Sequence, residues 1–146
     1  MSHLVFVFGT LKEGFPNFHI NRGRRVAGEF QTTTAYPLYL VGERRSPWML
    51  DDPNAGHCVR GQVFEVDAQA LQALDALERV HEPDGYKRCS IRVRPVQGGP
   101  TLEAQAYLKD PAQFEPERET STGPIPEYTL GHAATYQPRP TRKEVP

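Results

Sequence analysis

Residues 58–80 read CVRGQVFEVDAQALQALDALERV, and this stretch decides the fold. Apolar and polar residues alternate up to Val66, which is the period of a half-buried β-strand. From Ala68 onward the segment is rich in Ala, Leu and Gln, which favour helix, and Asp67 is a good N-cap. The sequence therefore predicts a strand that ends at Asp67 and runs directly into a helix over residues 68–80.

Shorter patterns on either side of this segment predict further strands and loops. The predicted strands lie at residues 4–8, twice around a bend within 26–41, at 86–93 and at 102–108. Residues 11–25 leave room for at most a short helix, and residues 44–56, with two Pro, one Asn and one Gly, are predicted to be mostly loop. One main helix with about five to seven strands indicates an α+β fold.

The end of the chain differs from the rest in composition. Residues 110–146 hold seven of the 14 prolines and show no sustained periodicity. We expect residues 1–146 to form a single domain, with 110–146 as an extended Pro-rich tail packed on it.

Composition excludes several classes of function. A net charge of −1 with no basic stripe gives little support to a nucleic-acid partner or an anionic membrane. The apolar run at residues 4–8 is too short to span a membrane and lacks the features of a signal peptide. Cys58, Cys89 and the five histidines have no metal-type spacing, so we expect reduced cysteines, no bound metal and a cytoplasmic protein.

The predicted helix carries a carboxylate on its apolar side. Leu71, Leu74 and Leu77 form one stripe, and at 100° per residue Glu78 falls about 20° from Leu71. Burial raises the pKa of a carboxyl group, and a general base works best with a pKa near the operating pH. Glu78 is therefore a candidate base. The alternative is that it lies in the last helical turn and bends out to water or pairs with Arg79 or Arg88.

A second candidate feature follows the first strand, where Val7-Phe8 runs into Gly9-Thr10. Glycine lets a backbone approach a ligand closely, and free N–H groups in such a turn can bind a carboxylate or a phosphate. Taken alone, the same pattern also fits an ordinary tight turn at a strand end.

Together these features resemble a known family. Phe8-Gly9-Thr10-Leu11-Lys12 is similar to its Tyr-Gly-Thr-Leu-Lys motif, and further motifs follow in register: Gly14-Phe15-Pro16-Asn17, Tyr36-Pro37-Leu38, Pro47-Trp48, Gly61-Gln62-Val63-Phe64-Glu65-Val66, Leu74-Asp75-Ala76-Leu77-Glu78 and Tyr86-Lys87-Arg88. Over residues 4–108, with a weaker echo at 136–139, the chain resembles the γ-glutamyl cyclotransferase-like family, also called AIG2-like. The resemblance is strongest to its γ-glutamylamine cyclotransferase members.

The resemblance implies both a fold and a site. It implies a mixed six-stranded barrel-like sheet with flanking helices, with Glu78 matching the catalytic acid/base. Phe8, Gly9, Thr10 and Leu11 match the substrate-binding loop, and Tyr86 is a further candidate for the pocket. One departure stands out, because the family has Tyr where this chain has Phe8, so a hydroxyl is missing.

The reaction implied by the resemblance is intramolecular and needs no cofactor. The α-amino group of a small γ-glutamyl substrate attacks its own γ-carbonyl and releases 5-oxoproline and an amine. Alternatives are removal of a γ-glutamyl group from a biosynthetic intermediate or a γ-glutamyl amino acid, and a non-catalytic module that binds a small ligand. The leaving amine, the effect of Phe8, the role of the tail and the oligomeric state stay open.

Overall fold

The computed structural model describes residues 2–115 and 121–137. Nine strands occur in this part of the chain: β1 (Ser2–Val7), β2 (Arg24–Arg25), β3 (Phe30–Thr32), β4 (Leu38–Val41), β5 (Ser46–Met49), β6 (Arg60–Asp67), β7 (Lys87–Pro95), β8 (Leu102–Leu108) and β9 (Ser121–Thr122). Two α-helices, α1 (Ala68–Leu77) and α2 (Leu130–Ala133), and two 3₁₀ turns, Phe18–Ile20 and Pro111–Gln113, complete it.

Six of these strands form a mixed sheet that closes into a ring. Its order is β1-β8-β7-β3-β6-β2, and β1 also pairs with β6. The β1–β6 pairing is antiparallel and runs from Ser2 opposite Asp67 to Val7 opposite Gln62, whereas β1 and β8 are parallel. A separate three-stranded sheet has the order β5-β4-β9. The start of β1 therefore lies opposite the β6–α1 junction, while the end of β1 and the C-terminal end of α1 both line the cavity described below.

Helix α1 begins as predicted and ends earlier than predicted. The Asp67 side chain accepts a hydrogen bond from the backbone N–H of Ala70 and caps the helix. At the other end Arg79 adopts a left-handed conformation, with φ of 55°. The N–H groups of Arg79 and Val80 donate to the carbonyls of Ala76 and Asp75, which is the Schellman pattern. The prediction of helix to residue 80 was therefore wrong by one turn, and Glu78 is the C-cap.

The apolar side chains form two clusters, one for each face of the main sheet. The larger cluster fills the ring and includes Phe6, Phe30 and Val63. The second lies between the sheet and α1, where Leu71 and Leu74 are buried and Leu77 is half-buried against it. The predicted leucine stripe of α1 is thus the buried face of the helix.

The loop prediction for residues 44–56 missed one strand. Residues 44–56 were predicted to be mostly loop, but Ser46–Met49 form β5, which pairs with β4. Pairing across a hairpin overrides the low strand propensity of Ser-Pro in this short segment.

In the described part of the tail, Tyr128 is fully buried in the larger cluster. Within the described residues, no helix combines the length and apolar character needed to cross a membrane.

Candidate active site

One cavity of about 1040 Å³ collects the predicted site residues. Its wall includes Glu78, Tyr86 and the loop of residues 8–11. These residues come from the end of α1, the start of β7 and the end of β1, so the closed sheet brings distant parts of the sequence to one place. The volume is at the upper end of the roughly 300–1,000 Å³ that is usual for small-molecule sites.

Three carbonyl groups of the loop of residues 8–11 have hydrogen-bond partners within the protein. The carbonyls of Gly9, Thr10 and Leu11 accept hydrogen bonds from the Lys12 and Asn17 N–H groups and from Asn21 Nδ2 respectively. Thr10 Oγ1 also accepts from Asn17 Nδ2 at 2.9 Å. Among the described residues, none accepts a hydrogen bond from the backbone N–H of Gly9, Thr10 or Leu11. Three consecutive N–H donors beside a cavity form a suitable site for an anion.

The loop is held in place by its first and last side chains. Phe8 is buried in the larger core cluster, with its ring centroid 6.5 Å from that of Phe6. Leu11 is buried in the second cluster. The loop is therefore tied to both halves of the core, and the missing hydroxyl of Phe8 concerns a position whose ring is already packed.

Glu78 is placed by the turn that ends α1. It is half-buried, and its carbonyl accepts a hydrogen bond from the backbone N–H of Tyr86 at 3.0 Å. The two arginines considered as its partners have other carboxylates: Arg79 pairs with Asp84 at 2.9 Å, and Arg88 pairs with Asp75 at 3.1 Å.

On a helical wheel Asp75 falls away from the leucine stripe of α1, which predicts that it points towards solvent, and that prediction is wrong. Its side chain is only 17% exposed, because the side chains of Arg88 in β7 and Tyr107 in β8 lie against it. It accepts a hydrogen bond from the Tyr107 hydroxyl at 2.7 Å. Burial, followed by this hydrogen bond, raises the pKa of Tyr107 well above its usual value.

A chain of contacts joins the loop of residues 8–11 to Glu78. Gly9 lies so close to Pro47 that a Cβ at position 9 would be 2.7 Å from Pro47 Cγ. The Pro47 carbonyl accepts a hydrogen bond from the Tyr86 hydroxyl at 3.1 Å, and the Tyr86 N–H donates to Glu78. Tyr86 therefore fixes the distance between the loop and the helix end.

Lys109 is a cavity residue that the sequence analysis missed. It is 5% exposed, and its Nζ lies 4.4 Å from the ring centroid of Trp48 and 4.6 Å from that of Tyr86. The same ammonium donates to the carbonyl of Asp84 and to Gln113 Oε1. A lone Lys after a strand gives no sequence signal, because its position depends on aromatic side chains from β5 and from the segment just before β7.

Comparison with known proteins identifies the family. A model described as "Gamma-glutamyl cyclotransferase, AIG2-like" matches residues 5–128. The chain belongs to this family. The γ-glutamylaminecyclotransferase of Rattus norvegicus is 35% identical, in an alignment covering 97% of this chain and 100% of the rat protein. That of Homo sapiens is 34% identical, covering 95% and 99% respectively.

A solved structure agrees with this assignment to the AIG2-like family. The crystal structure of an AIG2-like protein from Mus musculus superimposes with a TM-score of 0.80 at 31% identity, covering 97% of this chain and 99% of the mouse chain. The family resemblance predicted from the motifs is confirmed, and so is the mixed six-stranded fold. Residues 138 and 139, part of the weaker echo near the C-terminus, lie outside the described residues.

In this AIG2-like chain the far wall of the cavity is formed by Arg44 and Tyr136, which the sequence analysis did not assign to the site. Arg44 and Arg45 follow each other in a predicted loop, so the sequence predicts that Arg44 is a solvated charge, and that prediction is wrong. It is half-buried, and its Nη2 donates to the Tyr136 hydroxyl at 3.2 Å. Asn17 Nδ2 donates to the same hydroxyl at 3.3 Å. Residue 136 is so far from 44 in sequence that periodicity carries no information about the contact.

No group of three or more His, Cys, Asp or Glu suited to a metal ion lies within residues 2–115 and 121–137. The absence of a cofactor stays a prediction.

Proposed function

We propose that this member of a cyclotransferase family converts a γ-glutamyl amine to 5-oxoproline and the free amine. The observation that carries the proposal is the pairing of two features in one cavity: three N–H donors at Gly9, Thr10 and Leu11, and the carboxyl group of Glu78. The first can hold an anionic oxygen, and the second can move a proton. The relatives named γ-glutamylaminecyclotransferase support the same class of substrate.

The proposed reaction needs no nucleophile from the protein, because the substrate supplies its own. The α-amino nitrogen forms a bond to the γ-carbonyl carbon, and the carbonyl electrons move to oxygen. When this tetrahedral intermediate collapses, the bond from carbon to the leaving nitrogen breaks. Holding the substrate folded provides the effective concentration that such a ring closure requires.

In this proposal Glu78 transfers the proton, and the loop of residues 8–11 binds the negatively charged oxygen. Glu78 takes the proton from the α-ammonium group before or during attack, and then gives a proton to the departing amine. The N–H groups of Gly9, Thr10 and Leu11 hold the α-carboxylate or the developing oxyanion. Tyr86 lines the site and holds Pro47 against the loop.

The absent hydroxyl at Phe8 would support the alternative of a binding module without catalysis only if that hydroxyl were needed for the reaction. The Phe8 ring packs in the core cluster, so we propose that Phe8 serves the site by anchoring the loop.

We further propose a single cytoplasmic domain with the 110–146 segment packed on it. Tyr128 in the core cluster and two free thiols, Cys58 and Cys89, support this.

The direct test is to incubate the protein with γ-glutamyl-ε-lysine, γ-glutamyl-alanine and glutathione. Release of 5-oxoproline is measured by chromatography, and the leaving group is measured by amine detection. Release from the first substrate alone supports the amine enzyme, and release from the second supports a γ-glutamyl amino acid enzyme. Release from none of the three contradicts the proposal and favours binding without turnover.

A further inference from the structure

The cavity has a second wall that neither the loop of residues 8–11 nor Glu78 contributes to. It is formed by residues 42–44 of the turn between β4 and β5 (residues 42–45, here called the hairpin turn) and by Tyr136. Gly42, Glu43, Arg44 and Tyr136 all line the cavity. The cavity is far larger than a γ-glutamyl group, so this wall is available to the other half of the substrate.

The C-terminal segment is attached to the hairpin turn through backbone and side-chain contacts. The N–H of Gln137 donates to the carbonyl of Arg44 at 2.9 Å, and Arg44 Nε donates to the carbonyl of Gln137 at 3.1 Å. The Arg44 guanidinium also lies 5.8 Å from the ring centroid of Tyr136. These contacts fix the direction of the Arg44 side chain along the cavity wall.

Arg44 differs in its charge partners from Arg79, another arginine that lines the cavity. Arg79 is ion-paired with Asp84. Within the described residues Arg44 has only neutral partners, the Tyr136 hydroxyl and the Gln137 carbonyl. These bonds use two of the five N–H donors of a guanidinium, so others can serve a ligand. A half-buried guanidinium at a cavity wall is best matched by a carboxylate, which can accept two parallel hydrogen bonds.

We propose that Arg44 is a specificity residue that binds a carboxylate carried by the leaving amine, and that Tyr136 positions it. The inference rests on the proposed function, because it names the chemistry of the leaving group at the same site. The γ-glutamyl half is already provided for by the loop donors and Glu78. Asn17, which hydrogen-bonds both Thr10 and Tyr136, connects the two halves of the cavity. The preferred substrates are then γ-glutamyl amides of amino acids whose carboxylate is free.

The test compares two substrates of matched length. One is the amide of a γ-glutamyl group with the amine of aminohexanoate, and the other is γ-glutamyl-hexylamide, which lacks the carboxylate. Wild-type protein should favour the first. The substitution Arg44→Gln should lower kcat/KM for the aminohexanoate substrate by about ten- to a hundredfold, mainly through KM, since a charge-assisted hydrogen-bonded pair is lost. The hexylamide should be unaffected within about threefold.

Three further variants make the result specific. Arg44→Lys keeps the charge but not the planar fork and should recover part of the loss. Tyr136→Phe should raise KM for the aminohexanoate substrate only. Arg45→Gln is the matched control, because Arg45 is on the same turn but donates to Thr122 Oγ1, and it should change neither substrate.

Equal kcat/KM for the two substrates in the wild type, or an equal loss on both in Arg44→Gln, overturns the inference while the proposed function stands. Release of 5-oxoproline from neither substrate by the wild type overturns the proposed function, and the inference falls with it. Thermal unfolding of each variant separates a loss of recognition from a loss of fold.

Discussion

The contact between Gly9 and Pro47 gives the most quantitative prediction. An alanine Cβ at position 9 would be 2.7 Å from Pro47 Cγ, whereas ordinary contact begins at 3.4 Å, so the two must move apart by about 0.7 Å. Pro47 cannot yield freely, because it is paired with Leu40 in the β4–β5 hairpin and its carbonyl accepts the Tyr86 hydroxyl. Much of the shift therefore falls on the loop of residues 8–11.

A displacement of this size matters for catalysis. Misplacement by about 1 Å can cost about a hundredfold in rate, so Gly9→Ala should lower kcat by about ten- to a hundredfold. The overpacking should also lower the free energy of unfolding by about 1–3 kcal/mol. Release of 5-oxoproline measures the first effect, and denaturant unfolding measures the second.

A double substitution tests the physical cause. Pro47→Ala removes the Cγ atom that the new methyl group at position 9 would meet, so the double variant should recover much of the activity lost in Gly9→Ala. Gly131→Ala is the matched control, since a Cβ there has its nearest contact at 3.5 Å and should cost little. Full activity in Gly9→Ala, or a loss that Pro47→Ala does not reduce, would refute the reasoning.

Three other changes test hydrogen bonds at the site and packing in the core. Tyr86→Phe removes the hydrogen bond to Pro47 and should destabilise the fold by about 1 kcal/mol with a several-fold loss of kcat, measured by urea unfolding and by turnover. Lys109→Met leaves the Asp84 carbonyl without its ammonium donor and should cost about 1–3 kcal/mol in the same unfolding assay. Burial raises the pKa of Tyr128 above its usual value of 10.0, and its hydroxyl has no partner among the described residues, so Tyr128→Phe should stabilise the protein at neutral pH. The wild type should then lose stability as pH rises above about 10, because the unfolded chain releases this proton first, and the variant should lose less, by at most about 1.4 kcal/mol per pH unit.

Much of the fold was predictable from local patterns. Asp67 as N-cap and the leucine stripe of α1 follow from capping and periodicity, and both are present. The end of the helix was not predictable, because Arg79 supplies a left-handed conformation that usually calls for glycine. Gly85 makes this turn possible, since a Cβ there would be 1.8 Å from the Arg79 carbonyl oxygen.

The candidate site likewise has residues that were predictable from the sequence and residues that were not. Glu78 and the loop of residues 8–11 were found from periodicity and motif order, since both sit at the ends of regular elements. Lys109, Arg44 and Tyr136 were not found. Their positions depend on contacts between segments far apart in sequence, such as Arg44 with Tyr136, and single-sequence patterns do not encode such contacts. The side of the cavity that would hold the leaving amine is therefore the part visible only in three dimensions.

The role of Glu78 is the central claim, and kcat of Glu78→Gln tests it most directly. Glutamine keeps the size of the side chain and removes its ability to accept a proton, so 5-oxoproline release should fall by about 10²–10⁴-fold while the fold is kept. Glu82→Gln is the matched control, because Glu82 is an exposed carboxylate in the same turn and does not line the cavity. The account predicts near wild-type turnover for Glu82→Gln and the large loss for Glu78→Gln. A folded Glu78→Gln protein that keeps near wild-type turnover would contradict it.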